Sequence, residues 1–231
     1  NGLFTKNCYM KLEQNQLDVI ENYLNWKELV QVDLKNEVLD HMATSIENRM
    51  EEDEVAFSMA FKDVVLVWEK ELSNNSSPLI GLLFSGPKML IYKCVKELKQ
   101  IYYRTAVIAF LITILFTVLS RKFDITLFLE FSRNLFGYTY FLAIGIIVIL
   151  HFAIRRTKTK SSFSYLFKTQ AVGFGFFYII HNPLLTDMFG VFKSGEYDFV
   201  AFLAYSIMLV FSFSFFPLYK AHLKVFNTIN A

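Results

Sequence analysis

The sequence predicts an all-α protein: a small N-terminal cytoplasmic three-helix domain, an interfacial amphipathic helix and a four-helix transmembrane bundle. Three observations predict it. Of the 231 residues, 54% are hydrophobic, 26 are Phe, and the mean hydropathy is +0.37, an apolar excess that a soluble core of this size does not absorb. The excess is concentrated in uninterrupted blocks after residue 100, as a bilayer requires. Charge is divided as well. Residues 1–77 carry 15 acidic against 7 basic side chains, a net −8, whereas residues 78–231 carry 16 basic against 6 acidic, a net +10. An acidic solvated head on a basic hydrophobic body fits a membrane-anchored domain and argues against direct binding of nucleic acid by the head, because phosphate is repelled there.

Residues 1–9 precede Met10, which opens the first patterned segment, and are expected to lie outside the folded unit. They lack a basic stretch followed by an apolar one, so no cleavable signal peptide is expected. The head, residues 10–77, reads as three helices. Leu17, Ile20 and Leu24 form a first stripe. Leu39, Met42, Ile46 and Met50, three and four residues apart, form a second over about Asp33 to Met50. The acidic run Glu51 to Glu54 precedes a third, with Phe57, Ala60, Phe61, Val64, Trp68 and Leu72 on one face; carboxylates there favour a helix N-terminus.

Ser73 to Pro78 is polar and aperiodic, and is expected to be a flexible linker. Residues 78–100 then hold a short apolar interfacial segment, Leu79 to Phe84, and from Pro87 an amphipathic helix. Its stripe Ile91, Cys94, Val95, Leu98, Ile101 and Tyr102 is opposed by Lys88, Lys93, Lys96 and Lys99, a pattern expected on an anionic membrane surface. Four spans follow in residues 101–231, at about 101–120, 135–154, 169–185 and 199–219. The third is interrupted by Gly173, Gly175 and the His181, Asn182, Pro183 triplet, which allows a kink or a re-entrant segment. Pro217 falls near the end of the fourth, where it costs little helix.

With the head inside, twelve basic residues lie on cytoplasmic flanks, against four (Arg121, Lys122, Arg133, Lys193) on the opposite side. That asymmetry places both termini in the cytoplasm. Cys8 and Cys94 then face a reducing compartment, and a structural disulfide is not expected.

Few residues suggest chemistry. Glu37, Asp40 and His41 share a face of the second helix, a spacing open to a divalent metal, but no second ligand pair completes a site, and a solvated polar face accounts for all three. His151 and the pair His181 and Asn182 are polar groups within or beside spans, where functional residues concentrate; both positions lie near span ends, where packing or interface placement suffices. Glu130, Asp124 and Arg133 fit a solvated rim. The sequence contains no P-loop, Gly-x-Ser-x-Gly elbow, His-Glu-x-x-His or Cys-x-x-Cys pattern. No catalytic residue, metal or cofactor is expected.

Val32 to Leu72, with Glu37-Val-Leu-Asp40-His41, then Ile46-Glu47, the acidic turn and Ala56-Phe57-x-x-Ala60-Phe61 leading to Trp68, resembles the HAAS-like or permease-prefix helical domain. Asp53 or Glu54 stands where that domain usually has a Gly between helices. With Trp68, the Ser-rich linker and Gly86-Pro87, the stretch from Met10 to about Lys99 also resembles multi-span membrane proteins of Bacteroidetes, flavobacteria especially. The resemblance implies a cytoplasmic regulatory or protein-binding module, in families associated with PadR-like transcriptional regulators or permease subunits. Glu37, Asp40, His41 and Glu47 are the matched positions, implied to fix the helical domain or to meet a partner. The expected function is therefore a non-enzymatic sensor, regulator or anchor whose head binds a cytoplasmic protein such as a transcriptional regulator. A transport or permease subunit with a polar path near the third span is the alternative, and a membrane enzyme a weaker one. So small a bundle also suits a homo-oligomer.

Overall fold

The computed structural model describes residues 11–81 and 84–230; residues 1–10, the Leu82-Leu83 pair of the expected interfacial segment and Ala231 lie outside the described residues. The head is built from α1 (Gln14–Trp26), α2 (Val32–Glu52) and α3 (Phe57–Leu72), close to the boundaries that periodicity predicts. Ile20, Leu24, Val38, Met42, Ile46 and Ala60 are fully enclosed between them. The two connections are tight. Glu28 (φ +61°) and Glu54 (φ +53°) adopt the left-handed conformation, the backbone that Gly takes most easily.

The expected flexible linker is corrected by the structure. Asn74–Ser76 (β1) pairs antiparallel with Ser85–Pro87 (β2), and Lys88 N–H donates to Ser73 O at 2.8 Å. This two-stranded ribbon is the one departure from an all-α chain among the described residues. Short polar strands have no amphipathic alternation, so nothing in the residues from Ser73 to Ser77 announced the pairing.

α4 (Lys88–Ser120) is a single 33-residue helix that joins the expected surface helix to the first span without a break. α5 (Ile125–Arg156) begins ten residues before the expected second span, because Asp124 caps it by accepting from Thr126 and Leu127 N–H. α6 (Ser162–His181) starts earlier and ends earlier than expected. Ser161 Oγ accepts from Ser164 N–H at its start, and Asn182 leaves the helix at its end. After a single turn, α7 (Val191–Ser194), the last apolar segment forms α8 (Phe199–Phe213) and α9 (Phe215–Asn230). The helix interrupts at Ser214 and then continues through Pro217 to Asn230, eleven residues past the expected end of the fourth span. Pro217 occupies the first turn of α9, where its missing N–H removes no bond that the break had not already removed.

Three helical segments, Lys88–Ser120, Ile125–Arg156 and Phe199–Asn230, are long and apolar enough to cross a membrane. α6 is not among them, since Ser162, Ser164, Lys168, Thr169 and Gln170 dilute its apolar residues. The helices alternate in direction. Cys94 meets Ser162 and Tyr102 meets Gln170, so α4 and α6 run parallel. Tyr102 stacks near Phe211 and Phe110 near Phe199, so α8 runs antiparallel to α4. Aromatic residues fill the centre: Phe116, Phe128, Phe136 and Phe202 pack with centroids 5.3–5.9 Å apart. The head sits at the end where α4 and α6 begin and α5 and α9 finish.

Candidate functional site at the junction of head and bundle

The head is latched to the bundle through one carboxylate. Asp33, in the first turn of α2, accepts Ser162 N–H at 2.8 Å and Lys93 Nζ at 3.0 Å, and also accepts the Ser162 hydroxyl. Three elements therefore converge on it: the N-terminus of α2, the N-terminus of α6 and the second turn of α4. An anion at two helix N-termini is stabilised by both sets of unpaired N–H groups. The Asp33 side chain is 11% exposed. Burial alone would raise its pKa, but the two Ser162 hydrogen bonds and the Lys93 ammonium outweigh it and hold the carboxyl below its ordinary 3.8. Beside it, Val32 N–H donates to Lys160 O at 2.8 Å, and Lys88 pairs with Glu71 at 2.7 Å.

A second polar cluster lies behind the latch. His222, on α9 beyond the apolar run that ends at Tyr219, is fully buried. Its Nδ1 is 2.8 Å from Ser161 Oγ and its Nε2 is 2.9 Å from Thr157 Oγ1. The Thr157 hydroxyl donates to Ile154 O at 2.7 Å, so it must accept from the imidazole. Nε2 then carries a proton, and in the neutral ring Nδ1 accepts from the Ser161 hydroxyl. Burial pushes the His222 pKa below its ordinary 6.5, opposed in part by the Asp33 charge. His222 thus ties α9 to the loop joining α5 and α6, next to the serine that Asp33 holds. Cys94, against Ser162 O at 3.8 Å, completes the junction, and burial pushes its thiol up to about 12.

The residues singled out from the sequence are distributed differently. Glu37, Asp40 and His41 are exposed and make no side-chain hydrogen bond or ion pair among the described residues. Glu47 accepts Leu12 N–H at 2.9 Å and so fastens the segment leading into α1. Among the described residues no cluster of three His, Cys, Asp or Glu side chains is placed to hold a metal ion. His151 stacks on Phe167 at 6.4 Å. His181 lies 2.8 Å from Phe177 O through Nδ1. Asn182 is 1% exposed, accepting Leu184 N–H at 2.9 Å while its amide nitrogen reaches Gly137 O at 3.4 Å. The three are not brought together.

The reading of Lys88, Lys93, Lys96 and Lys99 as one lipid-facing surface is corrected in half. Lys88 and Lys93 pair with Glu71 and Asp33, and the apolar stripe beneath them, Ile91, Cys94 and Leu98, is at most 3% exposed because protein covers it. Lys96 and Lys99 remain exposed. Asp33, Ser161, Ser162 and His222 were not singled out. Asp33 reads as an ordinary first-turn acid, and Ser161 with Ser164 as a helix cap. His222 continues the Phe215, Leu218 stripe at a spacing of four, which marks a buried histidine in hindsight.

The arrangement defines a helical protein with three helices long and apolar enough for a membrane and a polar joint between those helices and a compact head. Compared with protein-family models, with curated proteins and with solved structures, the chain matches none.

Proposed function

We propose that the chain is a four-span bacterial inner-membrane protein of sensory or regulatory type, non-enzymatic, whose cytoplasmic head presents an acidic surface to a soluble protein partner. The observation that carries this reading is the Asp33 latch. A head joined by a loose tether would be indifferent to the state of the bundle, whereas a carboxylate shared by α2, α4 and α6 makes any shift of α4 against α6 felt at α2. Glu37, Asp40 and His41 continue that helix on its exposed face, free of internal partners among the described residues. Exposed polar side chains without internal duties, on an element coupled to the membrane, suit a docking surface.

α6 serves as the remaining span. Its 20 residues extend about 30 Å at 1.5 Å per residue, enough for the hydrocarbon layer, and Val172, Phe176, Phe177 and Ile179 are exposed along it. Four alternating helices return the C-terminus to the head's side, where twelve basic residues favour the cytoplasm. The resemblance to permease-prefix domains points the same way and suggests a transcriptional regulator as partner.

Affinity capture from native membranes tests the proposal, comparing the wild-type chain with a Glu37→Ala, Asp40→Ala, His41→Ala triple variant. A soluble protein retained by the wild type and lost from the variant supports it. Capture of membrane subunits alone, equal in both, would instead favour a transport subunit.

A further inference from the structure

Two apolar grooves lie side by side where α4 faces α6 and α8. One, about 570 Å³, runs between α4 and α6 over Gly173, Met208 and Phe211. The other, about 410 Å³, runs between α4 and α8 along Tyr103, Phe110 and Leu203. They share Ala106 and Ile207, so a small side chain forms the low saddle between them. Only one end is polar. There Tyr102 hydroxyl donates to Gln170 Oε1 at 3.2 Å, and Gln170 Nε2 donates to Leu79 O at 3.3 Å, at the end of the first groove nearest the head.

Two lysines stand at that same end. Lys99 precedes Tyr102, Tyr103 and Ala106 by three, four and seven residues, and so heads the very face of α4 that carries the saddle. Lys168 precedes the groove-lining Val172 by four. Because Tyr102 and Gln170 touch and their helices are parallel, Lys99 and Lys168 lie at similar depth, one on each of the two helices that wall the first groove. Both are exposed, and neither belongs to an ion pair among the described residues, unlike Lys88 and Lys93. Glu97 lines a different groove with Arg104, away from this face.

We infer that this face binds one two-chain anionic phospholipid, with an acyl chain in each groove and its phosphodiester between Lys99 and Lys168. Paired grooves with one common polar end match a molecule with two tails and one charged head. The surrounding solvent is lipid: Val172 and Phe177 on the rim are 59% and 53% exposed on helices read as spans. Basic residues beside grooves between such helices are where anionic headgroups bind. The inference uses the membrane placement of α4, α6 and α8 but not the identity of any partner of the head, so a failed capture experiment leaves it standing.

Native mass spectrometry of the full chain tests it, in detergent doped with dioleoyl phosphatidylglycerol or dioleoyl phosphatidylcholine. The wild type is expected to retain a single phosphatidylglycerol at least tenfold more strongly than phosphatidylcholine. Gly173→Leu should cut retention of both lipids about tenfold, because a Cβ there meets no atom within 4 Å and the new side chain occupies the groove rather than displacing protein. Helical Leu is also better tolerated than Gly. Should that variant lose its native melting transition, Ala106→Leu fills the saddle instead. Lys99→Gln with Lys168→Gln should abolish the preference for phosphatidylglycerol while leaving retention at the phosphatidylcholine level. Equal retention of the two lipids by the wild type would overturn the inference. So would retention unchanged by groove filling, or a second copy of the chain occupying the face in place of lipid.

Discussion

Replacing Asp33 with alanine removes the acceptor on which α2, α4 and α6 converge, and the size of the effect can be worked from its contacts. The carboxylate accepts two hydrogen bonds from Ser162 and one from Lys93, with only 11% of its side chain exposed. Each hydrogen bond to a charged group contributes roughly 1.5–3 kcal/mol, but the three share one acceptor and do not add. Lys93, 32% exposed, recovers part of its hydration once released. A net loss on the order of 3 kcal/mol at the joint results. The neighbouring Lys88 and Glu71 pair, 36% and 47% exposed, contributes at most about 1 kcal/mol and cannot hold the joint alone. A loss of 3 kcal/mol raises the opening equilibrium by about 100-fold. Hydrogen exchange in nanodiscs, read by mass spectrometry on peptides spanning residues 30–38 and 157–164, should therefore speed up about 100-fold in both segments together, while the aromatic centre of the bundle keeps its protection. Unchanged exchange at both segments would refute the latch. Uniform loss of protection within the head alone would show that Asp33 merely supports head folding. The pH dependence has a definite sign: the folded carboxyl titrates below its ordinary 3.8, so the latch is fully present above pH 3.8 and is lost as pH falls through the lower folded value.

His222 predicts a loss of the same sign in acid, but in a higher pH window. Its folded pKa lies below 6.5, so its contribution is complete above pH 6.5 and declines as pH falls toward the lower value; His222→Gln should flatten that dependence in thermal melts between about pH 7 and pH 5. His222→Ala should cost about 2–4 kcal/mol by leaving the Ser161 and Thr157 hydroxyls and a cavity behind, seen as a lowered melting temperature. The Cys94 thiol, buried and pushed up to about 12, should resist iodoacetamide at neutral pH in the folded protein and react after denaturation, read on its own peptide. Gly137→Ala would place a Cβ 2.2 Å from Leu184 Cγ, forcing aside the turn that Asn182 and Arg133 hold. A cost of about 1–3 kcal/mol is expected, largely restored by Leu184→Ala in the double variant.

Much of the helical architecture was legible because it rests on local periodicity. The stripes of Leu17 to Leu24, Leu39 to Met50 and Phe57 to Leu72 each mark a helix with one buried face, since a helix must hide that face whatever it packs on. The long apolar blocks likewise mark helices, three of them long and apolar enough to cross a membrane, because backbone polar groups in hydrocarbon must be satisfied within the segment. Glu37, Asp40 and His41 read from their spacing as a solvated face, and the structure leaves all three exposed, while Glu47, matched only through the resemblance, accepts Leu12 N–H.

What the residues alone could not decide is what each buried face meets. The stripe from Ile91 to Leu98 satisfies a membrane surface and a protein surface equally well, and only the tertiary structure sets it against α6 and the head. Ser73 to Ser77 carries the composition of a loose linker, yet Asn74–Ser76 pairs with Ser85–Pro87. Asp33 and Ser162, 129 residues apart, have no common pattern in the chain; their bond exists only because α4 and α6 run parallel with the start of α6 level with the second turn of α4. Sequence therefore determined where helices form and which of them suit lipid, through short-range periodicity and hydration. Tertiary structure alone decided the joint between head and bundle, because a hydrogen bond between distant residues is specified by packing geometry and leaves no local trace.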